Sequence, residues 1–161
     1  MTVALHPVGP DDPRLERLLQ LYLHEWSALV ATPIDGDARY PYPGLAAFGG
    51  DDHAAYLFVA DARPVGFALI ARDAAGAWHV EEFFVIAGAR RRGLGASAAA
   101  LVLAARPGPW TWTVRPENPA ALAFWRRVAP DAAVTVEVGD DGVARTRMRL
   151  PAAAAPAPAP A

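Results

Sequence analysis

The sequence predicts a mixed α/β domain in which one sheet is covered by helices, and three observations predict it. Segments with strand character and segments with helical periodicity alternate in the order strand, helix, loop, three strands, helix, strand, helix, hairpin. Glycine and proline clusters fall between these segments rather than inside them. The chain of 161 residues is 53% hydrophobic and only 20% charged, enough apolar material for one core without staples.

Each element has its own warrant. Residues 2–8 alternate as a first strand. Asp12 and Pro13 supply an N-cap and a proline at the first helical position. Leu15, Leu18, Leu19, Leu23, Trp26 and Leu29 follow at helical spacing, which predicts an amphipathic helix over 13–30. Residues 31–54 carry loop chemistry, with one short helical turn expected near 45–48. Residues 55–60 and 65–72 read as strands joined by a turn around 61–64, and a second turn at 73–76 leads into a strand ending at Ile86. The helix formers over 93–105 stop before Pro107-Gly108-Pro109. A strand over 110–114 and a helix over 119–128 come next. Residues 134–138 and 143–150 bracket Gly139-Asp140-Asp141-Gly142, a hairpin signal. Residues 1–150 are thus expected to form the domain. Residues 151–161, an Ala/Pro repeat with nothing to bury, are expected to form a disordered or extended tail.

Composition removes several function classes. There is no cysteine, hence no disulfide framework, thiolate metal site or cysteine nucleophile. His6, His24, His53 and His79 show no ligand spacing, so no metal is expected. Seventeen acids face fifteen basic residues, a net charge of −2 without the basic footprint of a nucleic-acid binder. No stretch approaches the roughly twenty apolar residues of a membrane span. No basic segment followed by an apolar run opens the chain, so a cytoplasmic protein is expected.

Arg90-Arg91-Arg92-Gly93-Leu94-Gly95 is the most informative segment. A strand precedes it and helix formers follow it. A strand that turns through glycines into a helix N-terminus makes an anion cradle, because backbone N–H groups and the helix dipole point at one place. Glycine allows close approach of a phosphate, and three arginines add attraction for a polyanion. A diphosphate is the ligand this chemistry fits. A Walker loop is excluded, since the chain has no lysine, and a dinucleotide fingerprint lacks its third glycine.

The R-x-x-G-x-G pattern of Arg90, Gly93 and Gly95 resembles the acyl-CoA pyrophosphate loop of the GNAT superfamily of N-acetyltransferases. Downstream, Asn118-Pro119-Ala120-Ala121-Leu122-Ala123-Phe124-Trp125 is similar to the N-x-x-A-x-x-F/L-Y segment that opens the family's last conserved helix. The resemblance is good over residues 56–128. It implies a largely antiparallel sheet, two of whose neighbouring strands splay apart to admit acetyl-CoA. Phe83, Phe84 and Val85 would then offer backbone groups to the pantetheine amides. Arg90, Arg91, Arg92, Gly93, Leu94, Gly95 and Ala96 would surround the pyrophosphate, while Asn118 and Trp125 would flank the pantetheine arm and the sulfur. The implied reaction is acetyl transfer to a primary amine of a small molecule or peptide, by direct attack in a ternary complex. Homodimers are common in the family.

Such a transfer needs a base to take the amine's proton. Strand alternation places His79 and Glu81 on one face with Phe83 and Val85, and the resemblance implies a Glu or His base at the positions of these two, so Glu81 and His79 are the catalytic candidates. Glu82 points the other way unless a bulge intervenes, and reads as structural or as a supporting partner. One departure from the pattern stands out. The family commonly carries a tyrosine at the position of Trp125, whose hydroxyl can protonate the thiolate, and an indole cannot do that. The alternative of a non-catalytic acyl-CoA-binding sensor or partner-regulated module rests on this departure. Tyr22, Tyr40 and Tyr42 are the substitutes available. By resemblance, Asp35, Asp37, Tyr40 and Tyr42 lie in the variable loop that covers the acceptor pocket.

Overall fold

The computed structural model describes residues 2–152, so all but the first two residues of the Ala/Pro-rich segment lie outside it. The elements follow in the predicted order: β1 (Val3–Val8), α1 (Pro13–Ser27), β2 (His53–Ala60), β3 (Arg63–Arg72), β4 (Trp78–Val85), α2 (Leu94–Ala104), β5 (Trp110–Val114), α3 (Pro119–Val128), β6 (Ala133–Val138) and β7 (Ala144–Leu150). A short 3-10 turn at Leu45–Ala47 interrupts the long loop after α1, and another at Ala87–Ala89 links β4 to the arginine run. The strands form one seven-stranded sheet in the order β1-β2-β3-β4-β5-β7-β6. Every neighbouring pair is antiparallel except β4 and β5.

Two-residue alternation divides the core between the faces of this sheet. Phe58, Ala68 and Ile70 point to one side, where Leu94, Ala98, Ala99 and Val102 of α2 and Trp125 of α3 meet them. Leu57, Phe67 and Leu69 point to the other, against Leu15, Leu18, Leu19 and Leu23 of α1. Both layers bury large side chains completely, and at ~25 cal/mol per Å² such burial is what holds the three layers together.

The ends of the helices are decided locally. The Asp12 carboxylate accepts the Arg14 N–H at 2.8 Å and pairs with its guanidinium. That pairing pulls the carboxyl down to about 2. At its other end α1 stops at Ser27, short of the predicted residue 30. Ser27 Oγ donates to the His24 carbonyl at 2.7 Å, and the next N–H groups fold back irregularly on Glu25 and Trp26. Leu29 is 43% exposed, so no buried contact rewards a further turn. α3 matches its predicted span, with Asn118 Oδ1 capping the Ala121 N–H at 3.0 Å and Pro119 in the first turn.

Two features of β4 position everything that follows. Its ladder with β5 holds only at Trp78↔Trp110, His79↔Thr111 and Val80↔Trp112, whereas β4 runs on to Val85. The sheet therefore opens beyond Val80. On the β3 side the register jumps from Ile70↔Val80 to Leu69↔Glu82, leaving Glu81 as the extra residue of a β-bulge.

Candidate acyl-CoA and acceptor site

The bulge changes which side chains share a face. Regular alternation would group His79, Glu81, Phe83 and Val85. Instead Val80, Phe83 and Val85 all turn toward α2 and α3, while Glu82 and Phe84 turn toward α1. His79 lies on the α1 side with its register partner Thr111, whose Oγ1 is 2.8 Å from its Nδ1. The face reading for Phe83 and Val85 is thus corrected: one inserted residue advances the strand's phase by one.

Glu82 is the group this correction brings forward. Its half-buried carboxylate accepts the Tyr22 hydroxyl from α1 and the Tyr42 hydroxyl from the long loop, the latter at 3.2 Å. Burial pushes the Glu82 carboxyl up from 4.5 to about 7, partly offset by the two tyrosine donors and reinforced by the neighbouring Glu81 charge. Both phenols are held well above their ordinary value, first by burial and then by the Glu82 charge. A carboxylate that titrates near neutrality can exchange protons at physiological pH. Sequence reasoning gave Glu82 a supporting role. The signal that marks it was present in Tyr22, which falls on the same helical stripe as Leu15, Leu18 and Leu19 and so must face the sheet.

The other two candidates sit nearby. Glu81 is exposed and lines a cavity of about 430 Å³ together with Tyr42, Pro43, Phe48 and His53. The His79 imidazole is held below its ordinary 6.5, chiefly by burial, against the pull of Glu81. The loop wall of the cavity is fastened to α1. Gln20 exchanges two hydrogen bonds with the Tyr40 backbone, each 2.9 Å, and the Tyr40 hydroxyl lies 3.2 Å from both His24 Nδ1 and Ser27 Oγ. Asp35 serves the loop itself, accepting the N–H groups of Asp37 and Arg39. All three tyrosines named as substitute acids are therefore hydrogen-bonded on this face, two of them to Glu82.

On the opposite side of the opening the arginine–glycine segment makes a cradle. Arg91 and Gly93 both adopt positive φ, 63° and 77°, and Gly93 is the N-cap of α2. The first helical bond runs from Ser97 N–H to Gly93 C=O at 3.1 Å, and no side chain caps the N–H groups of Leu94, Gly95 and Ala96 before it. Nothing stands within 4 Å of the place a Cβ on Gly93 would take. Arg91 and Arg92 are exposed beside these donors. A polyphosphate fits such a surface. Arg90 does not share it: its Nε donates to Val85 O and its Nη2 to Glu25, both at 2.6 Å, and its guanidinium lies over the Phe84 ring. Gly95 has a packing role as well, since a Cβ there would come within 3.3 Å of the Phe124 ring.

Between cradle and cavity runs the free edge of β4. The Ile86 N–H is directed at Val65 of β3, so by alternation Glu82 and Phe84 also spend their backbone groups on β3. Phe83 and Val85 then face the opening, where the N–H groups of both and the Phe83 carbonyl are free for a ligand's amides. Asn118 is occupied as the cap of α3 through Oδ1. Trp125 is 5% exposed and stacks on Trp112 at 4.7 Å and against Phe83 at 5.3 Å, an apolar wall carrying no hydroxyl.

Comparison with known proteins agrees with this geometry. The model of the acetyltransferase (GNAT) family matches residues 15–129. No curated protein sequence matches the chain. Among solved structures it is similar to an acetyltransferase from Thermus thermophilus, with TM-score 0.69 and 21% identity over 94% of this chain and 97% of that one. It is also similar to the ribosomal-protein-S18-alanine N-acetyltransferase of Escherichia coli, with TM-score 0.64 and 18% identity over 98% of both chains. A third is a putative streptothricin acetyltransferase from Bacillus anthracis in complex with acetyl coenzyme A, with TM-score 0.59 and 11% identity over 94% and 99%. At these identities the likeness speaks for the fold. The family match spans most of the domain, and it carries the conclusion that the chain belongs to the GNAT acetyltransferases, whose reaction is acyl transfer from acetyl-CoA.

Proposed function

We propose that this protein transfers the acetyl group of acetyl-CoA to a primary amine, with Glu82 as the base. The observation that carries the reading is the Glu82 carboxylate, held between Tyr22 and Tyr42 where β4 parts from β5. The α2 N-terminus with Arg91 and Arg92 receives the pyrophosphate. Phe83 and Val85 offer their free backbone groups to the pantetheine, which carries the thioester into the opening beside Glu81 and Glu82. The acceptor enters from the cavity lined by Glu81 and Tyr42. Its ammonium proton passes to Glu82, directly or through a water. The freed nitrogen lone pair then attacks the thioester carbonyl, the N–C bond forms, the C–S bond breaks, the acylated nitrogen gives its surplus proton to solvent, and CoA leaves as a thiolate that takes a proton from solvent. The buried Trp125 supplies no acid for that last step, and the Tyr22 and Tyr42 hydroxyls are committed to Glu82. Glu81, exposed at the cavity, attracts the cationic acceptor, and His79 supports the strand through Thr111.

Calorimetric titration with acetyl-CoA, CoA and ATP tests the cosubstrate, and thiol release in the presence of primary amines tests the transfer. Micromolar binding of both CoA species but not ATP, with amine-dependent thiol release, is expected. Binding without release from any amine would favour the acyl-CoA-binding module instead. Absence of binding would remove the acetyl-CoA reading altogether.

A further inference from the structure

The cavity beside Glu81 has a one-sided chemistry. Its walls are Tyr42, Pro43, Ala47 and Phe48 from the long loop, with His53 at the start of β2, and Glu81 is the only carboxylate or guanidinium that lines it among the described residues. Phe48 is itself buried, and His53 meets its ring edge-on at 5.5 Å, which fixes the orientation of this wall. At about 430 Å³ the cavity has the size of a small-molecule site.

These features sort acceptors by charge and by surface. An ammonium group is attracted to Glu81, and Tyr42 of the same wall holds the neighbouring Glu82 through its hydroxyl. An acceptor that also carries a carboxylate or phosphate finds no guanidinium in this lining to receive it, only the His53 imidazole packed edge-on to Phe48, and is repelled by Glu81. A second ammonium finds no second carboxylate in this lining. An apolar ring, by contrast, gains contact with Phe48 and the Tyr42 face. Tyr42 belongs to both structures, wall and clamp, so a ring seated on it lies next to the hydroxyl that holds Glu82.

We propose that the acceptor is a small primary monoamine with an apolar, ring-bearing body, its ammonium at Glu81 and its ring against Tyr42 and Phe48. This assignment rests on the acetyl-transfer reading above. It is tested with three amines on the full chain, following thiol release: 2-phenylethylamine, phenylalanine (the same ring and amine with an added carboxylate) and spermidine. For 2-phenylethylamine, kcat/KM on the order of a hundredfold above each of the other two is expected. Glu81→Gln should raise the KM for 2-phenylethylamine several-fold with little change in kcat. Equal or better turnover of phenylalanine or spermidine overturns the proposal, and so does a Glu81→Gln variant whose KM is unchanged. If acetyl-CoA binds but none of the three amines is acetylated, this acceptor class falls while the cosubstrate site stands. Failure to bind acetyl-CoA instead brings down the reading beneath it.

Discussion

Replacing Tyr22 by Phe removes one hydroxyl and keeps a ring. That ring lies 5.6 Å from Phe84 and 5.9 Å from Phe67, so the packing of α1 on the sheet survives. What disappears is one of two O–H donors that favour the charged form of Glu82. A hydrogen bond to a charged group is worth about 1.5–3 kcal/mol, and each pH unit corresponds to about 1.36 kcal/mol. Burial already holds the carboxyl at about 7 with both donors present. Tyr42, at 3.2 Å, has room to tighten and recover part of the loss. The acidic limb of the kcat/KM profile should therefore move upward by roughly one pH unit. Activity at pH 7 falls several-fold and approaches the parent's level near pH 9. Initial rates of thiol release between pH 5.5 and 9.5 measure this. An acidic limb that does not move, or a loss equal at every pH, refutes the account of Glu82 as a tyrosine-tuned base.

Glu82→Gln should lower kcat about 10²- to 10⁴-fold, yet stabilise the fold at alkaline pH. From pH 4.5 to about 7 the native Glu82 keeps its proton longer than the unfolded chain does, so its contribution falls as pH rises through that window. The variant should gain on the order of 3 kcal/mol at pH 8.5 and almost nothing at pH 4.5, read by urea unfolding at both. Gly66→Ala places a Cβ 2.1 Å from the Phe84 carbonyl and 2.9 Å from Phe58, forcing β3 and β4 apart. A loss of about 2–3 kcal/mol in the same unfolding assay is expected, and an unchanged midpoint would show that the strands separate freely. The arginines should divide by position. Arg92→Ala should weaken acetyl-CoA binding up to about fivefold at low salt and less at high salt. Arg90→Ala, which removes the brace to Val85 and Glu25 and the contact over Phe84, should change that affinity less than twofold. The reverse ranking in titrations would return Arg90 to the cradle.

Much of this architecture is legible in the amino-acid order where the signals are local. Asn118-Pro119 announces the start of α3 to the residue, Asp12-Pro13 does so for α1, and the glycines around Asp140 and Asp141 mark the last hairpin. The cradle is legible for the same reason, because a strand, two glycines and a run of helix formers are contiguous. The cluster around Glu82 is not. Val80, Phe83, Phe84 and Val85 are apolar on both sides of β4, since both faces of this strand are covered, and periodicity then carries no phase information. Tyr22 and Tyr42 reach Glu82 across sequence separations of 60 and 40 residues, which only the folded sheet brings together. Arg90 looks like its neighbours in the run, and its contacts with Glu25 and Val85 depend on where α1 happens to end.

The extra residue in β4 behaves like a frameshift written in three dimensions. Upstream of Glu81 the strand is read in one parity, downstream in the other, and the two frames are joined by a single residue. Substitution at 81 leaves both frames intact, so the position is free to vary with the acceptor. Removal of residue 81 would merge the frames. Phe83 and Val85 would exchange faces with Glu82 and Phe84, driving a carboxylate toward the stacked indoles of Trp112 and Trp125. Length at this point is thus held far more tightly than identity, and the chain can change what it acetylates more easily than it can straighten the strand that does it.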